Sequence, residues 1–177
     1  MRQTDKTVSP MSNEGRNLYV VEHITEAVLN LMKESNLSDI SISQICDEAG
    51  VGRASFYRNF ESKEDVISKY LKRLLENWSK EYALSGKDNF VEALFEHYWK
   101  NRDICILLYR QGLAHLNLKS IVDACGLKPE QENIIAYTTA YLSYGLYGWI
   151  EEWFKRGMKE TPQEMAELWA KAQQSNH

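Results

Sequence analysis

Histidine and cysteine carry most nucleophilic, acid–base and metal-binding chemistry, and this chain has four of one and three of the other. His23, His97, His115 and His177 lie far apart, as do Cys46, Cys105 and Cys125. The sequence has no Cys-x-x-Cys pair, no His/Cys group at metal-ligand spacing and no glycine-rich phosphate loop. The expectation is a protein that is not an enzyme and holds neither metal nor cofactor. An enzyme would require a Ser/His or Cys/His pair assembled in a pocket by the fold. Three sparse thiols suit small, buried, reduced residues of a cytoplasmic protein. Redox sensing by Cys105 or Cys125 is the rival use.

A second kind of chemistry is concentrated between Ser41 and Lys63. Arg53, Ala54, Ser55 and Arg58 fall on one short helical segment, Arg53 to Phe60, directly after Ala49-Gly50-Val51-Gly52. Gly50 can take the positive φ of a tight helix-helix turn, and Ala49 lets two helix axes approach. Such an arrangement is a helix-turn-helix, whose second helix is presented to the DNA major groove. An arginine there can bond a guanine edge through two parallel hydrogen bonds, worth about 1–3 kcal/mol of discrimination. Arg53, Ala54, Ser55 and Arg58 are therefore the candidate base-contacting residues. Ser41, Tyr57, Asn59 and Lys63 are candidates for phosphate. Lys63 also opens the next helix, where free backbone N–H groups favour an anion. Val51, Phe56 and Phe60 have the spacing of core anchors on the opposite face.

The net charge of −4 argues the other way, because dedicated nucleic-acid binders are often basic. Arg53, Arg58 and Lys63 answer it locally, since they cluster at the reading edge with few acids nearby except Glu61 and Glu64. The acidic total still predicts weak non-specific binding with modest salt dependence.

Those side chains need a frame, and apolar periodicity supplies one. Ile24, Ala27, Val28, Leu31 and Met32 form one stripe of a helix ending near Ser35-Asn36. Ser41 and Gln44 make a capping box for the next helix, whose inner face is Ile42, Ile45, Cys46 and Ala49. Ser62 and Asp65 open a long fourth helix, carried by Val66 to Tyr82 and stopped at Ser85-Gly86. Val91 to Trp99 mark a fifth. The run Ile104 to Tyr109 is apolar all round, as in a buried helix, and a short helix follows at about Ser120–Cys125. Pro129 suits the first turn of a long helix reaching Arg156, with Gly157 as its stop. Thr161, Pro162 and Glu164 then cap a last helix. Strand-like alternation and internal repeats are absent. The expected class is all-α with about nine helices. The expected domains are a disordered arm over 1–16, a helix-turn-helix domain over 17–62 and a helical regulatory and dimerisation domain over 63–177. Arg2, Lys6 and Arg16 give the arm a minor-groove alternative. The longest apolar run, Ile104 to Tyr109, is too short to span a membrane, and Thr4 to Asn17 is too polar for a signal core, so a cytoplasmic protein is expected.

The stretch from Ile42 to Asp65 resembles, in register, the DNA-binding domain of TetR-family regulators. It carries the Ala49-Gly50-Val51 turn, the Phe56-Tyr57 pair and the Ser62-Lys63-Glu64 helix start. Three departures are visible: Cys46 for a usual Ala, Gly52 where Ser often caps, and Asn59 for a usual His. Gly145 to Met165 is similar to the last two helices of one branch of that family, where two helices from each subunit pack as a four-helix bundle. The resemblance implies a homodimer on a palindromic operator, usually a repressor released by a small molecule. The residues add support of their own. Gly145 and Gly148 each cost about 1 kcal/mol of helix propensity, which suits close approach by another backbone. Together with Trp149 and Trp153 they form the expected dimer face, and an intrachain core is the alternative. Trp99, Tyr109, His115, Tyr137 and Tyr141 are the candidates for a ligand pocket, with packed core as their alternative. A protein-interaction module of the same fold, without specific DNA readout, is the rival function.

Overall fold

The computed structural model describes residues 13–125 and 129–174. Among them are nine α-helices, one short 3-10 turn and no strand. The chain divides into two compact units, one through Val66 and one from Ile67.

In the first unit α1 (Asn13–Glu34), α2 (Ile42–Ala49) and α3 (Arg53–Asn59) pack pairwise, and α4 (Lys63–Ser85) begins. The α1 stripe is buried as its spacing requires: Ile24, Ala27, Val28 and Met32 are all nearly inaccessible. A 3-10 turn at Leu37–Asp39 drops Leu37 into the same core, followed by Ile40. Ile45, Cys46 and Ala49 face inward from α2, and Phe56 and Phe60 from α3 and its end.

The capping chemistry can be followed atom by atom. Ser41 Oγ accepts from the Gln44 N–H at 3.2 Å, and Gln44 Oε1 accepts from the Ser41 N–H at 2.8 Å. At α4 the Asp65 N–H donates to Ser62 Oγ at 3.1 Å, but the Asp65 carboxylate turns back to the Glu61 N–H at 3.0 Å, one residue earlier than a capping box requires.

The second unit contains the rest of α4, then α5 (Phe90–Lys100), α6 (Arg102–Arg110), α7 (Leu116–Ala124), α8 (Asn133–Lys155) and α9 (Pro162–Gln174). Helix α5 packs on α9, while α6 and α7 pack on α8. Aromatic rings fill the space between. Trp153 stacks on Trp99 at 5.8 Å and meets Phe95 edge-on at 5.5 Å; Tyr98 meets Phe154 edge-on at 5.7 Å. Cys105 is buried in this cluster, and burial pushes its thiol up to about 12. A thiol so resistant to ionisation is a packing group and a poor nucleophile.

Three details differ from the sequence reading. Helix α1 already begins at Asn13, so residues 13–16 belong to it; Gly15 is tolerated where the N–H groups have no intrahelical partner in any case. Residues 1–12, with Arg2 and Lys6, lie outside the described residues. Helix α7 begins at Leu116, earlier than expected. Pro129 precedes α8, whose first helical residue is Asn133, instead of sitting in its first turn. The end of α8 is as expected, with Gly157 at φ 81°. Thr161 and Glu164 cap α9 reciprocally, at 2.7 and 3.3 Å. No helix among the described residues is long and apolar enough to cross a membrane.

Candidate nucleic-acid interface

The corner between α2 and α3 turns on Gly50, at φ 64°, ψ 32°. Its N–H donates to the Asp47 carbonyl at 3.2 Å, and the Val51 N–H to the Cys46 carbonyl at 3.0 Å. These paired bonds close the end of α2 and redirect the chain by one left-handed residue, which a Cβ would strain. Gly52 then precedes α3 without a side-chain cap.

Helix α3 has two faces. Phe56 is fully buried and Phe60 is 2% exposed, with their rings 5.8 Å apart. Arg53, Ala54, Tyr57 and Arg58 are exposed and Ser55 is half-buried. The aromatic underside fixes the helix, and its cationic edge is left open. That is what a recognition helix needs, because base edges must be reached by side chains that are not committed to the core.

Several polar residues around this edge also work inside the unit. An Arg53 Nη2 hydrogen donates to Ser43 Oγ, tying the start of α3 to the first turn of α2. Asn59 Nδ2 donates to the Ser55 carbonyl at 2.9 Å, closing the last turn of its own helix. The Ser41 hydroxyl is held by Gln44, from whose N–H it accepts and to whose Oε1 it donates at 2.8 Å. Lys63 is the most committed. Its ammonium donates to the carbonyls of Leu37, Ser38 and Ile40, at 2.5, 3.1 and 2.7 Å. An ammonium has three donors, so this cluster leaves none for phosphate. No sequence signal distinguishes this Lys63 from one that reaches DNA; only the fold brings those carbonyls beneath it. Burial pushes the Cys46 thiol up, opposed by the Arg53 charge.

In the second unit the residues expected to line one pocket have different surroundings. Trp99 lies on Trp153, while His115, Tyr137 and Tyr141 are exposed, the tyrosines at 72% and 65%. Tyr109 is half-buried beside the core. Two concavities among the described residues have other linings. A groove of about 480 Å³ between α4 and α5 is floored by Trp78, Tyr82 and His97. A second, of about 380 Å³, lies between the end of α8 and α9. Burial lowers His97 to about 4, helped by the Lys100 charge. That imidazole is neutral at pH 7.

The expected dimer face also changes. Trp153 is 1% exposed and belongs to its own chain's core. Trp149 packs edge-on against Trp169 at 5.3 Å, and a Cβ on Gly145 would meet the same Trp169 ring at 3.7 Å. The close approach at Gly145 is therefore by α9 of the same chain. Gly148 has open space around it. Among the exposed residues of α8, Ile134, Tyr137, Tyr141 and Tyr144 form a stripe that continues to Gly148 at intervals of three and four, with Ile135 and Leu142 exposed beside it. The sequence puts Tyr141 and Tyr144 on an aromatic face suited to an interface; Ile134 and Tyr137 extend that face, although Tyr137 suits a pocket wall equally well.

The comparisons agree with this geometry. Residues 24–69 match the family described as bacterial regulatory proteins, tetR family, and residues 87–175 match a transcriptional regulator C-terminal region of the same group. No curated protein matches the chain. Among solved structures, Lin0861 from Listeria innocua aligns at a TM-score of 0.72 and 16% identity, over 96% of this chain and 97% of that one. The fatty acid degradation regulator FadR from Bacillus halodurans aligns at 0.52 and 13%, over 92% of each chain. At those identities the two structures speak for the fold. With both segments matched and a helix-turn-helix exposing its arginines, the chain belongs to the TetR family of DNA-binding transcriptional regulators.

Proposed function

We propose that this regulator is a homodimeric, cytoplasmic repressor that binds a palindromic operator and is released by a small-molecule effector. The observation that carries the reading is the division of α3, with Phe56 and Phe60 buried beneath an exposed Arg53 and Arg58. On this reading Arg53, Ala54, Ser55 and Arg58 meet base edges. Tyr57, 60% exposed, bonds phosphate, while Ser41 contributes only by giving up its bond to Gln44. Asn59 and Lys63 shape the unit instead of touching DNA. A two-fold dimer would place its recognition helices about 34–36 Å apart, matching successive major grooves. The outward stripe of α8 supports that dimer, since exposed tyrosines at helical spacing are typical of an interface.

The groove between α4 and α5 supports the effector, being of the size small-molecule sites have. Helix α4 is continuous from Lys63 to Ser85, so it carries residues of both units. A ligand acts only by preferring the arrangement that does not fit DNA.

A mobility-shift assay on the DNA flanking the protein's own gene tests this reading. Retardation of one fragment, competed by its palindrome, is expected. Failure of folded protein to retard any fragment would favour the second reading, a protein-interaction module, which the net charge of −4 supports.

A further inference from the structure

The groove between α4 and α5 joins an aromatic floor to one buried polar ring. Trp78 and Tyr82 lie nearly parallel along α4, with ring centroids 5.6 Å apart and 24° between their planes. From α5 the His97 ring comes within 5.5 Å of the Trp78 ring, centroid to centroid, so the imidazole stands between the two helices that form the groove. Only 8% of His97 is exposed. Its carbonyl accepts from the Asn101 side chain at 2.8 Å, but among the described residues nothing bonds its ring. A neutral imidazole has one N–H donor and one acceptor, and leaving both idle in an apolar setting is costly. A ligand that accepts from the N–H removes part of that cost.

The charges that line the groove decide what this ligand carries. Lys87 and Glu96 pair at 2.6 Å and cancel. Lys100, one turn beyond His97, is exposed and has no carboxylate partner among the described residues. Its charge reaches the ring: burial and Lys100 together hold the imidazole at about 4. Glu81 is exposed on the α4 side. A cation seated there would leave His97 unserved and be repelled by Lys100. A carboxylate accepts from the Lys100 ammonium and the His97 N–H together. We propose that the groove binds a small planar aromatic carboxylate, its ring on Trp78 and Tyr82 and its anionic group held by Lys100 and His97. This rests on the effector reading above and names the chemical class of that effector. A space of about 480 Å³ suits an acid of one or two rings.

The test is isothermal titration calorimetry of the full chain with three ligands of one shape and different charge: 2-naphthoate, 2-naphthamide and 2-naphthylmethylammonium. At pH 7.5 the naphthoate dissociation constant should lie at least about tenfold below that of the amide, as charge-assisted hydrogen bonds require. Lys100→Gln, a change at an exposed residue, should abolish that preference. The His97 ring resonances should move on adding naphthoate. The bound anion offsets the Lys100 charge and favours the imidazolium, so binding at pH 5.5 should take up protons in wild type and fewer in His97→Gln. Equal uptake in the two proteins would overturn the assignment of the anion to His97. Equal or tighter binding of the amide or the ammonium, or no binding of any of the three, would overturn the proposal. The effector reading is tested apart from it, by adding the same compounds to the retarded DNA fragment. Naphthoate that binds the groove and leaves the fragment retarded keeps the ligand class and sinks the effector reading. Release of the fragment by the amide or the ammonium, and not by naphthoate, keeps that reading and sinks the ligand class.

Discussion

The Lys63 ammonium donates to the Ile40 carbonyl at 2.7 Å, across 23 residues of sequence. With Leu37 and Ser38 as its other acceptors, it closes the turn that joins α1 to α2 onto the start of α4. The residue therefore acts on the shape of the DNA-binding unit. Lys63→Met keeps the aliphatic stem and removes the donors. It should cost about 2 kcal/mol of stability, the scale of hydrogen bonds to a charged group. Below its unfolding temperature it should leave the salt dependence of DNA binding unchanged, because no phosphate contact is lost. Urea denaturation and a salt titration measure the two effects. A reduced salt slope with unchanged stability would return Lys63 to the phosphate.

Arg53 and Arg58 are both exposed, yet only Arg53 is tied to another helix, through Ser43. Their alanine variants should differ accordingly. Arg58→Ala should relax preference at one operator position by about 1–3 kcal/mol while stability changes by less than about 0.5 kcal/mol. Arg53→Ala should relax another position and also destabilise the unit, and Ser43→Ala should reproduce part of its effect on binding. Titrations against single-base operator variants, beside urea melts, separate these outcomes. Unchanged affinity in both arginine variants would remove α3 from the interface.

The recognition helix was legible because its pattern is local. Ser41 with Gln44, Gly50 at the corner, and Phe56 with Phe60 are all set by spacing within one or two turns, and the structure realises each of them. The same holds for Thr161 with Glu164 at α9. What could not be read depends on contacts between distant segments. Lys63 and its carbonyls are 23–26 residues apart. Whether Trp153 faces its own core or a partner is decided by Phe95 and Trp99, which lie more than fifty residues earlier in the sequence. An aromatic side chain on a long helix has the same signature in a core, in a pocket and on an interface, and so α8 was the segment read least well.

Gly145 and Gly148 on α8 now separate into two cases. A Cβ at Gly145 would rest at ordinary contact distance, 3.7 Å, from Trp169 of the same chain, whereas Gly148 faces open space. Alanine at either position should add up to about 1 kcal/mol of stability through helix propensity, since neither glycine has positive φ. Only Gly148→Ala should weaken dimerisation, because its methyl group would stand on the outward stripe. Thermal melts and sedimentation equilibrium check the two halves. Equal dimer dissociation constants for wild type and both variants would move the interface elsewhere on the surface.

His97 gives the second unit a pH dependence whose sign follows from its surroundings. The ring is 8% exposed, lies 5.5 Å from the Trp78 ring and 5.3 Å from that of Tyr98, and is held at about 4 by burial and by the Lys100 charge. In the unfolded chain the same imidazole titrates near its ordinary value of about 6.5. Between those two values the unfolded state binds the proton and the folded state does not. Folding is therefore opposed as pH falls through about 6.5, and the loss levels off below about 4. At pH 4.5 it should reach about 2–3 kcal/mol relative to pH 7.5, at 1.36 kcal/mol per pKa unit. The His97→Gln variant lacks this titration but keeps the carboxylates, whose own protonation affects both proteins alike. The difference in unfolding free energy between wild type and variant should therefore shrink or change sign in the variant's favour on going from pH 7.5 to pH 4.5. Urea denaturation at several pH values measures it, and parallel pH profiles for the two proteins would show that the His97 ring is solvated and ionises normally.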